Sequence, residues 1–448
     1  MKKKISAFGL FLITMVTAFG QQVGIGTDTP DATAILELDV SDYAANNKKG
    51  FLPPRMTEAQ RDAITSPAEG LVIYNLDEHC LEFWNDGEWV SFCNGTGGGG
   101  TPPVTPLNYR LGGSQADAAR DIQKTSDGGY IIAGYNRSSA SGDVSGINNG
   151  IQDYWIVKLN ASLVIEWEKN YGGSDSDMAY SIQQTTDGGY IVAGLTGSSA
   201  SGDVTGTNKG NSDYWILKLN ASGGIVWQRN YGGSNDDRAR SIKQTTDGGY
   251  IVLGETASSA SGDVGTSKGN YDYWILKLNA SGGIVWQRNY GGSDSDNAHS
   301  IQQTTDGGYI VAGTTTSSTS GDVTSVNIGG NDYWIVKLNA SGNITWQKTY
   351  GGYSHDIPSS IRQTTDGGYI VGGRTMSSAS GDVTGTNKGG YDAWIVKLNA
   401  SGNITWQKNY GGSSTEQVHS IQQTTDGGYI FVGTTSSSAS GDVTGVGK

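Results

Sequence analysis

Six aspartates, Asp127, Asp187, Asp247, Asp306, Asp366 and Asp426, each open a DGGY motif, at intervals of 60, 60, 59, 60 and 60 residues. A carboxylate beside two glycines can belong to a metal or phosphate site, because glycine lets backbone amides approach a ligand closely. The same three residues also make a tight turn, in which aspartate hydrogen-bonds its own backbone. Recurrence separates the two readings. A residue present in every copy meets a need of every copy, whereas a catalytic group is needed once or twice. The DGGY aspartates are therefore read as hairpin turns, with either Asp187-Gly188 or Gly188-Gly189 at the centre of the second one.

A second set of acids flanks a long Ser/Gly-rich loop. Asp143, Asp203, Asp263, Asp322, Asp382 and Asp442 stand in GD pairs, and Asp153, Asp213, Asp272, Asp332 and Asp392 open DYW or DAW triplets. Loops of this kind offer side-chain and carbonyl oxygens to calcium, although the spacing is not that of an EF-hand and aspartate is a common turn-former. Calcium is thus the only cofactor that the residues suggest, and the bland reading is none. The four histidines, His79, His299, His355 and His419, form no close pair at metal-ligand spacing, and no GxSxG or HExxH motif occurs. The reading is non-enzymatic. Its alternative is a glycoside hydrolase, which needs two facing carboxylates and for which Glu255 with the acidic links would be the candidates.

The elements that must position these residues repeat with them. In the second copy, SIQQT (181–185), YIVAG (190–194), DYWILKL (213–219) and IVWQRNY (225–231) alternate apolar and polar residues as strands do. Four antiparallel strands per unit at a 60-residue period describe an all-β protein, a β-propeller of about six four-stranded blades. The DGG and NASG turns then share one face. The long loop and the inter-blade GGSDSD-type link share the other. The copies differ just after the second strand's glycine, at Tyr135, Leu195, Glu255, Thr314, Arg374 and Thr434, and in the links. These are the ligand-binding candidates. LNYRLGG at the start of the array resembles a fourth strand and could complete the last blade, which stops at GDVTGVGK. The recurrent tryptophans are read as packing between blades.

Residues 1–20 have the lysines, apolar stretch and small-x-small ending of a secretory signal peptide, and the apolar run is too short to span a bilayer. Residues 21–94 read as a small β-rich domain with 13 acids against 4 bases, 95–106 as a Gly/Pro linker, and 107–448 as the propeller. In CLEFWNDGEWVSFC, a two-residue turn at Asp86-Gly87 sets Trp84 opposite Trp89 and Cys80 opposite Cys93 at non-hydrogen-bonded positions, which suits a disulfide in an exported protein. The net charge of −13 argues against a nucleic-acid partner.

Through DGGY, the GD loop, DYWIVKLN and W…YGG, the repeats resemble the secreted bacterial β-propeller repeat family. The N-terminal unit, through GIGT, GFLPPRMT-x-AQRDAI and EGLVIYN, resembles the leader domain of exported surface and tail-fibre-like proteins. These resemblances imply a secreted or outer-surface protein without a transmembrane span, binding glycan or protein, and no single activity. A purely structural repeat array is the remaining alternative.

Overall fold

The computed structural model describes residues 53–68, 70–85, 87–91 and 110–444, and the backbone of Val23–Ile25 and Leu36–Leu38. Residues 1–20, read above as a signal peptide, residues 95–106, read as a linker, and Cys93 lie outside the described residues. The chain divides into two compact units, Met1–Tyr109 and Arg110–Lys448.

In the first unit, Val23–Ile25 (β1) pairs in parallel with Leu36–Leu38 (β2). Arg55–Met56 (β3), Val72–Asn75 (β4), Cys80–Asn85 (β5) and Glu88–Ser91 (β6) form a four-stranded sheet. The sequence reading did not anticipate a helix here, but Glu58–Asp62 (α1) follows β3, started by a Thr57/Gln60 capping box. The hairpin register matches the expectation: Trp84 faces Trp89 and Asn85 faces Glu88, with the two indole rings 5.4 Å apart. Cys80 is buried on β5.

The second unit is built of blades whose strands, here a to d, pair in chain order and antiparallel. Blade 1 comprises Ala118–Lys124, Tyr130–Asn136, Asp153–Leu159 and Ile165–Tyr171; blade 2 comprises Asp177–Gln184, Tyr190–Thr196, Asp213–Leu219 and Ile225–Tyr231. Blades 3, 4 and 5 repeat the pattern from Asp237, Asp296 and Asp356. Among the described residues blade 6 is the pair Glu416–Gln423 and Tyr429–Thr435, and Leu111–Gly113 carry no strand. The expected completion of the last blade by LNYRLGG falls largely on residues 107–109, outside the described residues. Ile122 of blade 1 is 58% exposed, whereas its counterparts Ile182, Ile242, Ile301, Ile361 and Ile421 are fully buried. Strand a also begins four residues before the expected Ser181. It runs through a β-bulge between Ala179 and Ser181 that leaves Tyr180 without a cross-strand partner.

Each blade packs its face on the next. Ile131, Tyr154 and Ile156 of blade 1 enclose a core with Ile182, Val192 and Trp215 of blade 2, and the same set recurs down the array. Tyr154 donates its hydroxyl to the Trp215 carbonyl at 2.9 Å with the rings 4.7 Å apart; Tyr214 and Tyr273 repeat the bond to Trp274 and Trp334. Strand d contributes a second aromatic pair, Trp167 on Tyr190 at 5.8 Å. The tryptophans thus serve packing.

The DGGY aspartate has two tasks. Gly188 N–H donates to the Thr185 carbonyl and Thr185 N–H to the Gly189 carbonyl, both at 2.9 Å, so Thr186-Asp187 is the turn centre. Gly188 follows at φ +80°, which makes a three-residue loop with a glycine bulge rather than either expected two-residue turn. Asp187 accepts from Thr185 Oγ1 at 2.6 Å and Gly189 N–H at 3.0 Å. Its other oxygen meets Lys218 Nζ at 2.9 Å, from a lysine of DYWILKL that is itself buried. Gly189 is needed because a Cβ there would lie 2.2 Å from the Leu219 carbonyl oxygen and 2.6 Å from Lys218 Nζ. Lys158, Lys277, Lys337 and Lys397 meet Asp127, Asp247, Asp306 and Asp366 in the same way.

On the opposite face, aspartates hold the loop ends. Gly172 N–H donates to Asp203 Oδ2 at 3.3 Å and the Gly172 carbonyl accepts from Asp203 N–H at 2.8 Å, joining the end of blade 1 to the long loop of blade 2. Asp143, Asp263, Asp322, Asp382 and Asp442 grip Gly112, Gly232, Gly291, Gly351 and Gly411 likewise. Asp153, Asp213, Asp272, Asp332 and Asp392 each accept a loop amide four residues upstream. Those of blades 1 to 4 keep a buried Oδ1 with no hydrogen-bond partner. Burial, followed by the neighbouring Asp356 and Asp382 charges, pushes Asp332 up to about 7. Burial is also the largest cause of the rise to about 6 at Asp153 and Asp213.

Two outcomes follow. Asp187→Ala leaves Lys218 buried with only the Leu219 carbonyl at 3.0 Å, and a cost of about 1–3 kcal/mol, towards the lower end because the carboxylate is exposed, is expected in denaturant unfolding. Asp426→Ala should shift the curve less, because no lysine meets Asp426 among the described residues; equal shifts would refute the clamp. The raised aspartates bind protons in the folded chain that the unfolded chain releases above about pH 4. Their stabilisation is present at low pH and is lost as pH rises through 6 to 7. His299, pushed down to about 4 chiefly by burial, and His419, also pushed down chiefly by burial, oppose this, but they are fewer than the raised aspartates. Tm should therefore fall between pH 5 and pH 8, and Asp332→Asn should raise Tm at pH 8 with little gain at pH 5.

Candidate functional site

The first strands of the six blades line one cavity of about 880 Å³. Strand a is the inner edge of each sheet, so its outward amides have no strand to pair with. The preceding blade supplies side-chain acceptors instead. Ser181 Oγ takes Ile242 N–H at 3.3 Å, Gln183 Oε1 takes Gln244 N–H at 2.7 Å, and Gln302 Oε1 takes Gln363 N–H at 2.7 Å. Asp121 stands at the serine position of blade 1 and takes Ile182 N–H at 2.9 Å.

The bulged position just before that serine is free of this duty, and there the blades differ: Arg120, Tyr180, Arg240, His299, Ser359 and His419. The Arg240 guanidinium lies 4.6 Å over the Tyr180 ring, and Arg120 approaches the same ring at 5.9 Å and Tyr135 at 5.3 Å. Stacked cations and aromatics of this kind make a surface suited to planar or anionic groups. The sequence reading missed this ring because it started strand a at Ser181. Comparing the copies one residue upstream would have exposed it.

The six candidate ligand residues lie inside strand b rather than in the loop beyond it. Leu195, Glu255 and Thr314 are buried, Tyr135 and Arg374 half-buried, and Thr434 exposed. Four of them touch side chains of strand a. Glu255 accepts from Arg240 at 2.6 Å, Tyr135 accepts from Arg120 at 3.4 Å, Arg374 donates to Gln417 at 2.8 Å, and Thr434 lies 3.3 Å from His419 Nε2. They therefore form the wall behind the cavity ring. Among the link residues, Asp177, Asp237 and Asp356 are fully buried, whereas Tyr353 is 77% exposed.

The aspartates considered for calcium are those that hold the loop ends. Among the described residues, no group of three or more His, Cys, Asp or Glu comes together to hold a metal ion. The long loops are themselves pinned: Ser198 and Ser201 accept from Asp175 N–H and Ser174 N–H at 2.9 Å, and Val204 is buried. No helix among the described residues is long and apolar enough to cross a membrane.

Comparison with known proteins divides along the same two units. Residues 24–107 match the model of the phage tail-like trimerisation region. A regulatory protein of Caulobacter vibrioides, FlaEY, is 25% identical over 268 residues, or 55% of this chain and 26% of its own length, so the chain spans about a quarter of that relative. Among solved structures, a Dyadobacter fermentans protein of unknown function is 11% identical with TM-score 0.40, covering 72% of this chain and 95% of its own. The Pan2 WD40 domain of Neurospora crassa is 11% identical with TM-score 0.38, covering 70% and 86%. A Bacteroides caccae protein of unknown function is 13% identical with TM-score 0.36, covering 67% and 84%.

Proposed function

We propose that this is an exported, non-enzymatic binding protein whose propeller recognises a glycan or protein through the cavity ring and its strand b wall. One observation carries the reading: two sets of positions at which otherwise near-identical blades differ, one on strand a and one on strand b, converge on one cavity. Arg120, Tyr180, Arg240, His299 and His419 come from strand a, and Tyr135, Glu255, Arg374 and Thr434 stand behind them. Repeat-invariant residues maintain the blades, so differences gathered in one place are the expected mark of a ligand.

The match of residues 24–107 to a trimerisation region supports a further part of the reading, in which three chains associate through the N-terminal unit and present three propellers. Avidity would then raise the effective affinity of a weak single site. The signal-like residues 1–20 support export, and the Cys80–Cys93 bridge, outside the described residues at Cys93, belongs to the same proposal. Glu255 is engaged by Arg240 at 2.6 Å and lies 4.0 Å from Arg238, which fits a wall residue better than a free acid–base catalyst.

The test is a glycan array and surface-protein capture with the full chain. Tyr180→Ala and His299→Ala should each weaken the ligand found at least tenfold, as expected for ring contacts at a hot spot, without a large change in Tm. Binding that survives both changes would remove the cavity ring from the reading. Polysaccharide turnover abolished by Glu255→Gln would replace it with the hydrolase.

A further inference from the structure

The ring is not the only place where the blades depart from their own rule. Deeper along strand a, two residues after the serine position, stand Gln123, Gln183, Gln302 and Gln422 in four blades, but Lys243 in blade 3 and Arg362 in blade 5. Gln183 and Gln302 each accept the next strand's amide at 2.7 Å. Lysine and arginine have no acceptor and cannot replace that bond. Two cavity-facing positions therefore give up a structural hydrogen bond and gain a positive charge.

Neither charge is neutralised. Arg362 Nη1 donates to its neighbour's carbonyl, Ile361, at 2.8 Å and to Ser300 Oγ at 3.4 Å. Among the described residues Lys243 Nζ has no hydrogen-bond or ion-pair partner, and Asp121 acts on both cations only at longer range. The cavity is lined by five cations, Arg120, Lys124, Arg240, Lys243 and Arg362, of which Arg240 is paired with Glu255 behind it, against the one lining carboxylate of Asp121, in a chain of net charge −13. A concave site of one sign with low-dielectric walls concentrates counter-ions of the other. Burial holds both Lys243 and Arg362 below their ordinary range, the state that an incoming anion relieves.

We propose that the propeller cavity binds a small oxyanion, the carboxylate or sulfate group of its ligand, between Lys243 and Arg362. The guanidinium supplies a planar pair of donors and the ammonium a point charge, the usual division of labour at oxyanion sites. The proposal needs only the cavity and stands whether or not the ring recognises a surface partner.

The repeat itself supplies the variant. Lys243→Gln with Arg362→Gln restores the residue of the other four blades, so the double variant should fold with a Tm equal to or above the parent. Sodium sulfate, sodium acetate and sodium glucuronate are titrated calorimetrically into the full chain at constant ionic strength set with sodium chloride, with glucose as the neutral control. One-to-one binding of at least one anion to the parent, weakened at least tenfold in the double variant and absent for glucose, is the expected result. A preference for sulfate over acetate and glucuronate, or the reverse, identifies the oxyanion. Equal anion binding by parent and double variant, or no anion heat in the parent, overturns the proposal. Loss of surface-partner binding on Tyr180→Ala with anion binding intact would bear on the ring alone.

Discussion

The inner strand of every blade is an edge, and a sheet edge carries amides that no strand can satisfy. This chain meets that constraint with side chains from the preceding blade. Ser181 and Gln183 of blade 2 cap blade 3, and the Gln244 side chain reaches back to accept Thr186 N–H at 2.9 Å. Such bonds run in both directions at the junctions of blades 1 and 2, 2 and 3, 4 and 5, and 5 and 6, so these blades are satisfied only when their neighbours stand in register. The near-uniform inner strands follow from this requirement.

Aspartate is divided among three structural duties, and burial distinguishes them. The DGGY carboxylates are solvent-exposed, and five of the six face a buried lysine; what burial there is would raise Asp187, but hydrogen bonds from Thr185 and then Lys218 outweigh it and hold the carboxyl down at about 2. The GD carboxylates grip glycine amides at the blade junctions. The DYW carboxylates sit against further acids in a dry environment, and ionisation there is costly. Glycine makes the arrangement geometrically possible. A Cβ at Gly232 would lie 2.2 Å from Asp213 Oδ1, just as one at Gly189 would strike the Leu219 carbonyl.

The period, the four strands and the faces on which turns and loops lie were all legible in the residues, because each blade is written in near-identical local signals. What failed to show was non-local. The bulge at Ala179/Ser181 has no glycine to announce it, so Asp177–Tyr180 read as link rather than strand, and the cavity ring was lost with them. The turn centre at Thr186-Asp187 was hidden for a related reason: the two glycines drew attention, yet one serves the bulge and the other makes room for Lys218, which lies 31 positions beyond the aspartate it meets. Likewise, Leu195 and Glu255 follow a glycine that reads as a strand end, but full pairing with Asp213–Leu219 and its counterpart carries them into the sheet.

In a repeat protein the copies serve as controls for one another, and the control has to be applied position by position. At Ile182 and its counterparts, identity means that every junction needs the same plug. At the capping position, glutamine stands in four blades and caps the next strand in two of them, at Gln183 and Gln302, and so Lys243 and Arg362 are departures that the fold does not require. Their cost is specific: a lost acceptor and an unpaired charge with burial working against it. The ring at Arg120, Tyr180, Arg240, His299, Ser359 and His419 differs in kind, because the bulge releases that position from capping and variation there costs the fold little. Free variation and costly variation meet in the same cavity, and the costly kind is the stronger argument that something binds there.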